Sequence, residues 1–196
     1  ARIVLLDDAG KPVPGSEREL KFSSNASVTI PRRAPMYTDP VDLRTDDLQK
    51  VEISLFLPKA GPECSCHVVG AENARVSPQG DFTARSFEPI PMPYAAFRAF
   101  VTGIEVETPR RAKVVVTFGD SITDGYLSTT GANRRYPDRL AERLANANSR
   151  GAVAVVNAGI SGNRLLADGR MITMGESALA RFDRDVLSPA APCPPP

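Results

Sequence analysis

Tryptophan is absent from this chain of 196 residues, and histidine occurs once, as His67. The lone histidine is the most restrictive of these scarcities, because any chemistry that needs an imidazole base must use it or do without. Cysteine is nearly as scarce, at Cys64, Cys66 and Cys193. Three are too few for a disulfide framework, and a single residue between Cys64 and Cys66 is an awkward spacing for a bridge. Cys64-Ser65-Cys66-His67 offers thiol and imidazole ligands, but a tetrahedral zinc site needs a fourth ligand and no second Cys/His cluster exists. The segment therefore reads as a loop or strand with buried thiols, and no metal or organic cofactor is expected. No apolar run approaches the ~20 residues that a membrane span requires. No apolar leader is visible and the first residue is Ala1, which leaves the compartment open. The 24 basic and 23 acidic residues nearly cancel, so neither nucleic acid nor an anionic membrane is an expected partner.

What is present is a 42% hydrophobic composition, enough for a real core. Two halves read differently. Residues 1–110 hold many prolines and short apolar runs, with candidate strands at 3–6, 27–30, 51–57, 67–69 and 97–106. Ala60-Gly61-Pro62, Pro78-Gln79-Gly80 and Asp39-Pro40 punctuate them as turns. No helical period appears there, so this half is expected to be an antiparallel β-sandwich, an accessory domain.

From residue 111 the pattern changes. Residues 113–118 form a short, mostly apolar run ending at Gly119, as suits a parallel strand covered on both faces. A polar loop runs to Asn133, and Pro137 sits in the first turn of a helix over 138–148, with Leu140, Leu144 and Ala147 on one face and Gly151 beyond its end. Residues 153–156 make a second apolar strand. A second glycine loop, 157–163, leads to a helix over 177–187 with Leu179, Phe182 and Val186 as its apolar stripe. Strand–helix–strand–helix predicts a parallel α/β sheet, whose ligands bind beyond the C-terminal ends of the strands. Two strands are too few to stand alone, so the α/β domain of 111–187 is expected to be incomplete. The proline-rich run 188–196 reads as a disordered tail.

Both glycine loops lie at the expected ligand edge. In Gly119-Asp120-Ser121-Ile122-Thr123-Asp124-Gly125, a serine directly after a buried strand can present its hydroxyl to the crevice. Gly119 permits the sharp turn, and the Asp120 carboxylate can bond loop N–H groups. In Asn157-Ala158-Gly159-Ile160-Ser161-Gly162-Asn163, glycines let the backbone approach a ligand, and an N–H aimed at a developing oxyanion is what acyl transfer needs.

Together the two loops resemble the SGNH/GDSL family of serine esterases, with a flavodoxin-like parallel sheet. Arg135-Tyr136-Pro137-Asp138-Arg139-Leu140 and Ala178-Leu179-Ala180-Arg181-Phe182-Asp183-Arg184-Asp185 are similar to that family as well. The front half, around Ser77-Pro78-Gln79-Gly80-Asp81-Phe82-Thr83, is similar to the β-rich domain that precedes the catalytic domain in some secreted members, which favours an extracytoplasmic location. The resemblance implies Ser121 as nucleophile and Gly162 as an oxyanion donor. Asp120 and Asn163 take supporting roles, and Asn157 and Asn163 brace the second loop. The substrate it implies is a small-molecule or carbohydrate ester, such as a short-chain acyl or acetyl ester.

The departures matter equally. The family's Gly-x-Asn-Asp block and its Asp-x-x-His block, which supplies the base, are not found after Asp185. Loss of the base costs a serine hydrolase roughly 10⁶-fold in turnover, so an impaired, truncated enzyme is expected. His67, beside Cys66 and before an apolar pair, reads as structural rather than as a replacement base. Asp124, with an ordinary carboxylate pKa of ~3.9, is too weak a base at neutral pH. The base is left unassigned. An incomplete sheet has an open edge at which a second copy or a complementing chain can pair. Arg32-Arg33, Arg110-Arg111 and Arg134-Arg135 read as solvated surface. The competing reading is a non-catalytic carbohydrate-binding β-sandwich attached to a hydrolase remnant. The lack of tryptophan speaks against it.

Overall fold

The structure, a computed structural model, describes residues 1–31, 34–59, 64–72, 74–92, 96–108, 112–147 and 153–188. The chain divides into two compact units. One comprises Ala1–Pro62 with Val76–Pro91, and the other Glu63–Arg75 with Met92–Pro196. The division differs from a single boundary at residue 110. Residues 64–72 and 96–108 go with the α/β elements, because pairing and side-chain bonds described below tie them there.

The first unit is built on β1 (Arg2–Leu6), flanked by β2 (Arg18–Glu19) and β3 (Lys50–Ser54) in the order β2-β1-β3, all antiparallel. Strand β1 alternates as a half-buried strand should. Ile3 and Leu5 turn inward and meet Leu20 in a small core. Burying each such side chain contributes ~1.5–3 kcal/mol. The second sheet that a sandwich requires is not among the described residues of this unit. Residues 27–30, expected as a strand, join no ladder, and the strand expected over 51–57 pairs with β1 only as far as Ser54. Strand length depends on available partners more than on residue type.

In the second unit, β4 (Cys66–His67) and β5 (Arg98–Ala99) form a short antiparallel pair, far shorter than the runs 67–69 and 97–106 suggested. Cys64 and Cys66 are joined in a disulfide with Cα atoms 5.2 Å apart. That separation lies within the range bridges need, so the close spacing in sequence does not prevent pairing. Strand β6 (Lys113–Gly119) pairs parallel with β7 (Val153–Gly159), in a register that sets Gly119 opposite Gly159. Between them run a single helical turn α1 (Ser121–Asp124) and the helix α2 (Tyr136–Ala147), which packs on β7. Pro137 is fully buried in the first turn of α2, where its missing N–H costs nothing. Ala147, expected on the buried face, is exposed.

Helix α3 (Ala178–Phe182) is capped by Ser177, whose hydroxyl accepts from Ala180 N–H, and continues into a π-type turn over Asp183–Leu187. Its buried side differs from the expected stripe. Leu179 is 70% exposed and Phe182 42% exposed, whereas Ala178 and Arg181 are buried. The helix is turned so that the arginine, not the leucine, faces the strands. The proline-rich residues 189–196, with Cys193, lie outside the described residues. So do Gly151, the Ala60-Gly61-Pro62 turn, and the arginine pairs Arg32-Arg33 and Arg110-Arg111. No helix among the described residues is long and apolar enough to cross a membrane.

Candidate active site

The in-register pairing of β6 and β7 makes both strands end on glycine at the same edge, so both glycine loops spring from one place. The Ile160 N–H donates to Gly119 O at 3.1 Å, which continues the ladder one step into the loops. A side chain on Gly159 would run into the backbone at Thr123 and Asp124. That close approach is what glycine provides here, and it lays the second loop directly against α1.

Ser121 opens α1 and is half-buried. Asp120 precedes it as N-cap, its carboxylate accepting from Ile122 N–H at 3.0 Å. This fixes the turn after the strand, as its place in the sequence suggested. Gly125 ends the helix in the left-handed conformation, with its N–H and that of Tyr126 donating to Ser121 O. Neither the Ser121 N–H nor its hydroxyl makes a hydrogen bond among the described residues.

In the second loop, Asn157 Oδ1 accepts from Gly159 N–H at 3.0 Å. The Asn163 side-chain amide donates to Met174 O and Glu176 O, and its oxygen accepts from Arg181 Nε. Both asparagines thus brace the loop. Gly162 is exposed, has φ 79°, and its N–H has no partner among the described residues.

Two buried charged side chains hold this arrangement. Asp124 is 2% exposed. One carboxylate oxygen lies 2.8 Å from His67 Nε2, and the other accepts from both Ser161 N–H (2.8 Å) and Ser161 Oγ (2.6 Å). Burial pushes this carboxyl's pKa up, but the bonds from His67 and Ser161 outweigh it and hold the group below its ordinary value. The chain's one histidine is thereby bonded to Asp124, and no hydrogen bond joins it to Ser121. With Cys64 and Cys66 paired and His67 engaged, the three groups first weighed as metal ligands are used elsewhere.

The second charge is Arg181, at 0% exposure. It donates to Gly119 O, Ala158 O, Asn163 Oδ1 and Asp185, and lies 4.0 Å over the Phe118 ring. A second arginine, Arg135, donates to Asp138, Glu72 and Gly70 O, and so ties the segment after β4 to the start of α2. Arg135 is therefore a half-buried brace and not the solvated surface group expected.

Sequence reasoning placed Asp120, Ser121, Asn157, Gly162 and Asn163 on the two loops that the fold brings together. It missed Ser161 and the roles of Asp124 and Arg181. The available signal for Arg181 was a single charge between apolar residues in a short helix, a pattern more often read as surface.

Residues 117–188 match the GDSL-like Lipase/Acylhydrolase family. The GDSL-like segment begins inside β6 and runs through both loops to the end of the π-type turn, so it takes in every residue of the two loops. The parallel pair β6 and β7 with its helices fits an incomplete α/β fold, and the family that this segment resembles indicates ester hydrolysis as its general activity. No curated protein matches the chain.

Proposed function

We propose that the chain is an ester hydrolase that works through Ser121, on short-chain acyl esters or acetyl esters of carbohydrates. The Ser121 Oγ attacks the ester carbonyl. The N–H groups of Ser121 and Gly162 receive the oxyanion, the alcohol departs, and water releases the acyl group from serine. Asp120 shapes the turn under the nucleophile, and Asn163 holds the loop that presents Gly162. His67 is read as a structural member of the site, because its Nε2 is committed to Asp124.

The observation that carries this reading is the meeting of the two loops at one strand edge, with a backbone donor left unused on each loop. Helix-start N–H groups lack intrahelical partners and are suited to negative charge. Within the same reading, β6 and β7 have only each other as neighbours among the described residues, which suits the addition of a further strand from a second copy or another chain.

Hydrolysis of p-nitrophenyl acetate by this chain and by Ser121→Ala tests the proposal. The expected result is a rate above the buffer blank that disappears in the variant. Equal rates for the two proteins would remove Ser121 from the mechanism.

A further inference from the structure

We propose that Arg181 is a positioning residue for the 160–163 turn, and that through this turn it fixes the direction of the Gly162 N–H. The inference rests on the esterase reading for what the N–H does, but on geometry alone for what holds it.

A guanidinium is costly to bury, and it is tolerated only when its donors are met. Arg181 meets that demand with acceptors from four places. Gly119 O belongs to the end of β6, at 3.0 Å, and Ala158 O to the end of β7, at 2.8 Å. Asn163 Oδ1 belongs to the loop, at 3.1 Å, and the Asp185 carboxylate to the same helical stretch, at 2.9 Å. Two of these acceptors immediately precede the residues on which the site turns, Asp120-Ser121 on one strand and Gly159 on the other. The planar fork of an arginine sets all four directions at once, which the single ammonium of a lysine does not.

The loop is also held from a second direction. Asp124 takes the N–H and hydroxyl of Ser161. Gly162 is therefore bracketed, with a buried anion gripping the residue before it and a buried cation gripping the residue after it. Asn163 N–H donates to Ile160 O at 3.0 Å and closes the turn, and the Asn163 amide pins it to Met174 O and Glu176 O. A glycine at φ 79° has the widest backbone freedom of any residue, and its N–H direction is fixed only by what holds its neighbours. A burial role alone would be met by an apolar side chain, as Leu179 or Phe182 on the same helix would supply.

The test compares the wild-type chain with Arg181→Lys, which keeps the charge and loses the fork. Cooperative thermal melts establish that both are folded. Amide hydrogen exchange at Ser161 and Asn163, whose N–H groups are bonded, should quicken by ~10-fold or more, with ladder amides of β6 and β7 changed by less than about twofold. Turnover of p-nitrophenyl acetate should fall by ~10–10² in kcat with KM kept within about threefold, because a misdirected donor is lost in the transition state. Unchanged loop exchange in a folded variant overturns the proposal, as does an equal quickening along the whole ladder. A loss confined to KM does so too.

If Arg181→Lys does not melt cooperatively, the unaltered chain decides. Its Arg181 Nε–H should exchange at the rate of the bonded Ser161 and Asn163 amides within about threefold, because one opening releases both. A loop that opens while Arg181 stays protected overturns the proposal. The exchange readout needs no turnover. A wild-type chain without Ser121-dependent activity would therefore sink the esterase reading and leave this one standing.

Discussion

Strands β1 and β6 are both short apolar runs, yet they sit in different kinds of structure. Around β1 most polar side chains serve turns, and Gln49 Nε2 also donates to Leu6 O from 43 residues away. Ser16 caps a bend below Leu5, and Asp39 accepts from the N–H groups of Ser23 and Ser24, both at positive φ. Around β6 they span long sequence distances and converge on the C-terminal ends of two strands, where Asp124, Ser161, Asn163 and Arg181 meet. Turn-stabilising bonds hold a scaffold. Converging buried charges hold a loop in one place, at a cost in desolvation that a scaffold has no need to meet. The difference separates structural polarity from site-building polarity within one molecule.

Substitutions at these positions break or sharpen that contrast. The largest effect is expected at Arg181→Met, which removes the guanidinium donors from Gly119 O, Ala158 O and Asn163 Oδ1. Removing one partner of a buried pair costs ~3–5 kcal/mol, and urea denaturation measures it. A loss below about 1 kcal/mol would show the arginine to be replaceable packing.

Next is Gly159→Ala. Its new methyl meets the backbone of Thr123 and Asp124, and overpacking of this kind costs ~1–3 kcal/mol. Chemical-shift changes should centre on α1 and the 160–163 turn. Changes centred on β7 alone would place the strain elsewhere.

Asp124→Asn should cost ~1.5–3 kcal/mol at neutral pH, the range for hydrogen bonds to a charged group. Because the folded carboxyl sits below its ordinary value, its contribution is present above ~3.9, the unfolded pKa, and is lost as pH falls through the folded one. Denaturation at pH 7 and at pH 3 should therefore show the gap between wild type and variant narrowing in acid. A gap independent of pH would mean that the charge is not what stabilises. The single imidazole gives a clean second readout, since its Hε1 proton NMR signal should shift in Asp124→Asn.

The smallest effect is expected in the first unit. Asp39→Ala removes two bonds at an exposed turn, at a cost of ~1 kcal/mol, and should leave the His67 signal unmoved. A moved signal would blur the distinction between the two kinds of polarity.

The parts legible in the sequence were those with local causes. The order β6, α2, β7 follows from two apolar runs with an amphipathic segment between them, and the glycines that end the strands mark both loops. The Asp120 cap and the Asn157 bond to Gly159 N–H follow from short-range preferences of these side chains, whereas Asn163, assigned from the resemblance, reaches Met174 O, Glu176 O and Arg181. What escaped reading was tertiary. The stretches 27–30, 55–57 and 101–106 had the composition but no strand partner among the described residues. The α3 stripe was assigned to Leu179 and Phe182, because the acceptors that draw Arg181 inward lie as far as 62 residues away. The same applies to Asp124 and Ser161, which are 37 residues apart and hydrogen-bonded.

The most direct test of the central claim is to trap the acyl group itself. The chain is incubated with p-nitrophenyl acetate, quenched in acid, and digested for peptide mass analysis. The account predicts one acetylated peptide carrying Ser121, absent in Ser121→Ala and weakened in Arg181→Lys. Acetyl groups scattered over lysines and tyrosines, with none on Ser121, would contradict it.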